Sequence, residues 1–309
     1  MGGGSEAQHG SGTETSAEER RGGPVTVDPP SRLPSFLVIG AMKAGTTSLW
    51  HYLRSHPQVF MPDVKEVMFF DPRHNWDRGV AWYEGQFQGA TDRQTTLGEA
   101  STSYTKFPVV RDVPARIARV LPDVRLLYVL RHPIERMQSH YLYALSRGKE
   151  RRPIERAFAE DPTYLDVSRY GFQLEQYVPY FSAEQFLFVD SRDLAGKRVE
   201  TLRTIFGFLG IDDGWVPPIV DREFFRSADR RMKPAMAQRL RRIPGMAAIS
   251  QHAPRSVRTL ARKLPAEPVD MERAHLPDHL RQRLEESLRE DVVRLRPYMP
   301  DGFDGWGIA

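Results

Sequence analysis

The 309 residues carry 44 Lys and Arg against 40 Asp and Glu, with 40% hydrophobic residues and no cysteine. That length suits one large α/β domain or two small ones, and the absence of cysteine excludes disulfides, thiolate metal sites and a cysteine nucleophile. The apolar runs are strand-sized and the N-terminus has no apolar stretch, so neither a membrane span nor a secretory leader is expected, and the cytoplasm is the expected compartment.

Residues 1–33 hold Gly, Ser, Glu, Thr and Pro without periodicity. They read as a disordered tail, leaving residues 34–309 as one domain. Residues 36–39 (FLVI) form an unbroken apolar run ended by Gly40, the pattern of a strand buried on both faces. After a glycine-containing turn, Leu49, Trp50 and Leu53 recur at helical spacing over Thr46–Arg54. Residues 124–130 (VRLLYVL) are a second buried-strand candidate. They lead through His132 and Pro133 into a helix over 134–145, where a proline in the first turn loses no hydrogen bond. The polar stretch 147–162 reads as an insertion, followed by a helix over 171–181 and a strand over 186–189. A helix over 197–209 stops at Gly210, residues 213–234 look irregular, and a helix over 277–295 closes the chain. Strands alternating with helices predict the α/β class: a P-loop-like parallel β-sheet flanked by helices on both faces.

Chemistry concentrates first between Gly40 and Ser48. Backbone amides of a strand-to-helix turn, with a helix N-terminus behind them, make an anion cradle. Ala44 and Gly45 are small enough to let a phosphate approach the backbone, and Thr46, Thr47 and Ser48 add hydroxyl donors. The plainer reading is a tight turn with threonine as N-cap. A nucleoside-triphosphate loop places lysine directly after its second glycine. Here Thr46 holds that position and the lysine is internal, Lys43. The strand over 124–130 ends in Arg131 rather than in an aspartate for magnesium. An internal lysine without a metal partner suits a donor with a single 5′-phosphate bearing the group to be moved. Charge is uneven as well, since residues 222–263 carry twelve Lys or Arg against two acids. Such a block suits an anionic ligand, a nucleic acid or a membrane surface, or is simply a solvated helical face.

The run Lys43, Ala44, Gly45, Thr46, Thr47, Ser48, Leu49 resembles the 5′-phosphosulfate loop of sulfotransferases that use 3′-phosphoadenylyl sulfate (PAPS). A second element is similar to that family's 3′-phosphate motif: Arg131, His132 and Pro133, then Arg136, Ser139 and Tyr141. Arg169, Tyr170 and Gly171 resemble the segment that follows the insertion in bacterial and Golgi-type members. Residues 226–233, with Arg230 and Arg231, resemble the basic loop that closes over the nucleotide. The resemblance spans about residues 34–306. It implies sulfuryl transfer from PAPS, no metal, adenosine 3′,5′-bisphosphate (PAP) as product, and a glycan, lipid or small-metabolite acceptor rather than a nucleic acid. Oligomeric state stays open. Lys43, Ala44, Gly45, Thr46, Thr47, Ser48, Arg131, Ser139, Tyr170, Arg230 and Arg231 are the implied donor-binding residues.

Residues 64–71 (VKEVMFFD) are similar to the heparan-sulfate-type segment in which a glutamate before an apolar Phe-Phe run is the catalytic base. Glu66 stands in that place, beside apolar Val67, Met68 and Phe69 that would strip water from it. Cytosolic members use histidine instead. His132 and His140 fall within the 3′-phosphate element and His56 at the end of the first helix, so Glu66 is preferred, with Lys43 offsetting charge on the sulfuryl group. Golgi-type members often carry a lysine where this chain has Ala100, and Lys106 is the nearest lysine. The rival readings are a degenerate P-loop kinase and a nucleotide-binding module without transfer activity. Acceptor contacts are expected in the loops 71–96, 146–166 and 235–265.

Overall fold

A computed structural model describes residues 32–222, 224 and 270–309. Five strands form one sheet: β1 (Phe36–Gly40), β2 (Val59–Phe60), β3 (Thr96–Ala100), β4 (Arg125–Leu130) and β5 (Phe186–Asp190). The spatial order is β2-β3-β1-β4-β5, and every pairing is parallel. Helices fill the crossovers: α1 (Thr46–Arg54), α2 (Gly79–Gly85), α3 (Val113–Val120) and α4 (Pro133–Ser146). They continue as α5 (Ile154–Glu160), α6 (Thr163–Asp166), α7 (Tyr170–Leu174), α8 (Ser191–Gly196), α9 (Arg198–Leu209) and α10 (Asp278–Leu295).

The central strand explains the order. Phe36, Leu37, Val38 and Ile39 are all fully buried, each contributing about 1.5–3 kcal/mol. A strand so buried needs neighbours on both edges and cover on both faces, which only crossover helices supply. Phe36 lies over β3 at Gly98, where an added Cβ would come within 2.1 Å of the ring. The chain passes to one side of β1 through β2 and β3, then to the other through β4 and β5. Ligands in open α/β sheets gather at such a reversal, outside the carboxyl ends of the strands.

Several expectations shift. The helix over 171–181 ends at Leu174; Pro179, which cannot donate to a helical carbonyl, lies in the lost part. The insertion over 147–162 contains α5, which buries Ile154, Ala157 and Phe158. β2, β3, α2 and α3 lie in stretches that the sequence pattern left unassigned. No helix among the described residues is long and apolar enough to cross a membrane.

Candidate active site

The turn after β1 is shaped by left-handed backbone. Lys43 has φ 77° and Gly45 φ 101°, and Gly45 is the N-cap of α1, where no side chain caps the helix. Glycine tolerates this conformation, whereas other residues are strained in it. The uncapped first-turn amides and the positive end of the helix dipole therefore lie at the surface of whatever this turn encloses.

It encloses a cavity of about 440 Å³. Lys43, Ala44, Gly45, Thr46, Thr47 and Ser48 line one wall, while Arg131 from the end of β4 and Ser139 from α4 line another. The two elements are some ninety residues apart in the chain and share one space. A third wall was not read from the sequence: Ser191, Arg192 and Arg198, from the segment after β5. Arginines after a strand look like ordinary surface charge in a sequence, and only the sheet order brings them here. A second cavity of about 310 Å³ is also lined by Arg131, Glu135 and Ser139.

The cations are held in specific ways. Arg131 Nε and Nη2 both donate to Glu135 Oε2, at 3.0 and 2.9 Å. Below it, the Tyr170 hydroxyl donates to the Arg131 carbonyl at 2.8 Å. Tyr170 is 1% exposed and does not line the cavity, so it braces Arg131 from beneath. The amides of Gly171 and Phe172 donate to the Asp291 carboxylate of α10 at 2.9 and 2.8 Å. An added Cβ at Gly171 would lie 2.7 Å from the Asp291 carbonyl oxygen, so glycine lets α10 close on α7. The Lys43 amine lies 4.8 Å from the centre of the Tyr143 ring. Behind the loop, Arg136 is fully buried. It donates to Ser168 Oγ at 2.5 Å, to the Tyr164 carbonyl at 2.7 Å and to the Met42 carbonyl at 3.5 Å. Burial lowers its pKa to about 10, so it stays charged at neutral pH, and no carboxylate bonds to it among the described residues. Arg230 and Arg231 lie outside the described residues.

Glu66 does not line the cavity. It sits at the carboxyl end of β3, its amide donating to the Ala100 carbonyl at 3.0 Å. Its carboxylate accepts from the Thr102 amide at 2.7 Å, from the Thr102 hydroxyl at 3.2 Å and from the Lys65 amine at 2.5 Å. A quarter of the side chain, 26%, stays exposed. Electrostatics tie it to the loop. The Lys106 amine is lowered chiefly by burial and raised in part by Glu66. Lys106 and Lys43 both act on His140, whose pKa falls to about 2 through burial and the charges of Arg136, Lys106, Lys43 and Lys149.

A model of the sulfotransferase family matches residues 34–216, from β1 through α9. The chain belongs to the sulfotransferase family. This family member is similar to heparan sulfate glucosamine 3-O-sulfotransferase 6 of Mus musculus, 31% identical over 208 residues, covering 64% of this chain and 57% of that protein. It is also similar to heparan sulfate glucosamine 3-O-sulfotransferase 5 of Homo sapiens, 31% identical over 194 residues, 58% of this chain and 54% of that protein. It therefore spans a little over half the length of these curated relatives. Its fold matches a sulfotransferase from Alicyclobacillus acidocaldarius with a TM-score of 0.64 and 22% identity, over 89% of this chain and 99% of that one.

Proposed function

We propose that this chain transfers a sulfuryl group from PAPS to a hydroxyl or amine of a glycan, lipid or small-metabolite acceptor, with Glu66 as general base. One observation carries the reading: a single cavity joins the uncapped loop over residues 43–48 to Arg131 and Ser139. Two anion-binding elements facing one space suit a nucleotide with separate 5′- and 3′-phosphates. The loop amides, Thr47 and Ser48 would hold the 5′-phosphate, and Arg131 with Ser139 the 3′-phosphate. The Lys43 amine would offset charge growing on the oxygen that bridges sulfur and phosphorus as the bond from sulfur to that oxygen breaks. Glu66 would take the acceptor proton as the new bond to sulfur forms, leaving PAP as the product.

Electrostatics separate the candidate bases. A proton on His140 would lie among Arg136, Lys106, Lys43 and Lys149, and its pKa of about 2 makes it a poor proton acceptor. Glu66 is a partly exposed carboxylate. Lys106, whose amine feels the Glu66 charge, would supply positive charge that Ala100 cannot. The names of the relatives make heparan sulfate the first acceptor to try.

The test is label transfer from ³⁵S-PAPS to heparan sulfate and to a panel of hydroxyl and amine acceptors, by wild type and Glu66→Gln. Wild type should label an acceptor, and the variant should bind PAP normally while turning over about 10²–10⁴-fold more slowly. Magnesium-dependent ATP turnover would favour the kinase reading, and PAP binding without transfer to anything would favour the silent module. A cytoplasmic location remains part of the proposal, resting on the cysteine-free composition.

A further inference from the structure

Beside Glu66 lies a second carboxylate that the reaction does not use. Glu99, on β3, is 1% exposed. Its Oε1 accepts from the hydroxyls of Tyr83 and Tyr104 at 2.9 and 2.5 Å, and its Oε2 from the Ser101 hydroxyl at 2.8 Å. Two of these hydroxyls have a further partner. Ser101 Oγ accepts from the Met68 amide at 2.8 Å, and Tyr104 Oη from the Phe70 amide at 3.3 Å.

Direction is the point. An ionised carboxylate only accepts, so Ser101 and Tyr104 must each turn their single hydrogen toward Glu99. Their lone pairs are then left facing the amides of Met68 and Phe70. While it is ionised, this one carboxylate fixes the polarity of two bonds that clamp the segment directly after Glu66. That segment needs clamping, because Glu66 and Met68 have φ of 67° and 52°. Left-handed backbone of this kind is strained for any residue but glycine, and it persists only where the surroundings over-determine it.

We infer that Glu99 is the positioning residue of the base: through Ser101 and Tyr104 it holds the strained turn that presents Glu66. The inference rests on Glu66 acting as base. It also gives a pH signature, since burial pushes the Glu99 carboxyl up to about 7 against the pull of Tyr104, Ser101 and Tyr83, with Glu66 adding repulsion. A protonated Glu99 would donate from one of its oxygens, and the hydroxyl facing that oxygen would no longer be obliged to turn its hydrogen toward Glu99.

Glu99→Gln tests this without changing volume, because its amide nitrogen turned toward Ser101 would donate where the carboxylate accepted. Ser101→Ala removes the Met68 acceptor directly. With ³⁵S-PAPS and the acceptor that wild type labels best, water included, both variants should lose about tenfold or more in kcat. The KM for PAPS and the thermal shift with PAP should stay unchanged, and amide exchange over residues 66–70 should quicken in both. Wild-type kcat should fall as pH drops from 8 to 6 by more than that of Glu99→Gln, which already resembles the protonated state. Normal kcat in both variants, alongside an inactive Glu66→Gln, overturns the positioning role and spares the base. Near-normal turnover in Glu66→Gln, or no transfer by wild type to any acceptor, removes the base assignment and this inference with it. If both variants lose PAP binding, Glu99 supports the fold as a whole and the inference also fails.

Discussion

Arg131 offers the sharpest quantitative test, because the structure shows what it must give up to bind phosphate. Its guanidinium already donates twice to Glu135 Oε2, in a pair whose side chains are 31% and 51% exposed. An exposed pair of this kind is worth only about 0.2–1 kcal/mol. Charge-assisted bonds to a phosphate are worth about 1.5–3 kcal/mol, so a 3′-phosphate should displace Glu135. Arg131→Ala should therefore weaken PAP by the difference, about 0.5–2.8 kcal/mol or roughly 2- to 100-fold, and leave AMP, which lacks that phosphate, nearly unaffected. At a PAP concentration 100 times the wild-type Kd, stabilisation is about 2.7 kcal/mol, a Tm rise of roughly 4–5 °C for a chain of this length. A variant binding 100-fold more weakly should gain about 0.4 kcal/mol there, or about 1 °C. Glu135→Gln should act in the opposite sense, tightening PAP by up to about fivefold because Arg131 no longer has to leave a charged partner. Differential scanning fluorimetry with PAP, AMP and ATP reads all of this. Equal wild-type shifts with PAP and AMP, or an Arg131→Ala protein that keeps its preference for PAP, would refute the assignment.

Lys43→Ala should reduce turnover far more than it weakens PAP, since the charge it offsets grows in the transition state; parallel losses in kcat and PAP affinity would make it a binding residue only. Gly45→Ala, at φ 101°, should cost about 1–2 kcal/mol of stability and weaken PAP, both visible in one thermal series with and without the nucleotide. Asp71 supplies a pH dependence. Burial pushes its carboxyl up, but hydrogen bonds from Arg73 and the charges of Arg73 and His74 more than offset this and hold it below its ordinary value of 3.8. The resulting stability is fully present above that value and is lost as pH falls through the lower folded one. The Tm gap between wild type and Asp71→Asn should accordingly be wide at pH 7 and narrow toward pH 3.

What could be read in advance was whatever the chain writes locally. β1 and the core of β4 are unbroken apolar runs, and the loop over residues 43–48 is contiguous, so both were legible. Arg131 and Ser139 were legible as a spaced motif, although only the fold shows that they face Lys43 across one cavity. β3 was not legible, because its five residues, TLGEA, include a glutamate, and a buried acid defeats an apolar pattern. That acid is accommodated by Tyr83, sixteen residues upstream, together with Ser101 and Tyr104, and no local pattern encodes such an arrangement. Glu66 came from resemblance alone. Its left-handed backbone and its bonds to Thr102 belong to tertiary structure.

The contact between Asp291 and the start of α7 has a consequence for how the protein is made. Arg131 rests on Tyr170, the next residue is tethered to Asp291, and Trp306 Nε1 donates to Asp190 Oδ2 at the end of β5, at 3.0 Å. All five strands precede residue 191, yet a chain stopped short of Asp291 would lack both of these braces. If the cavity takes PAP as proposed, its affinity should arise only once residues 291–306 have packed, so the nucleotide would not template early folding. Substitutions at Asp291 or Trp306 would bear on the walls of that cavity, although they lie far from Arg131 in the sequence.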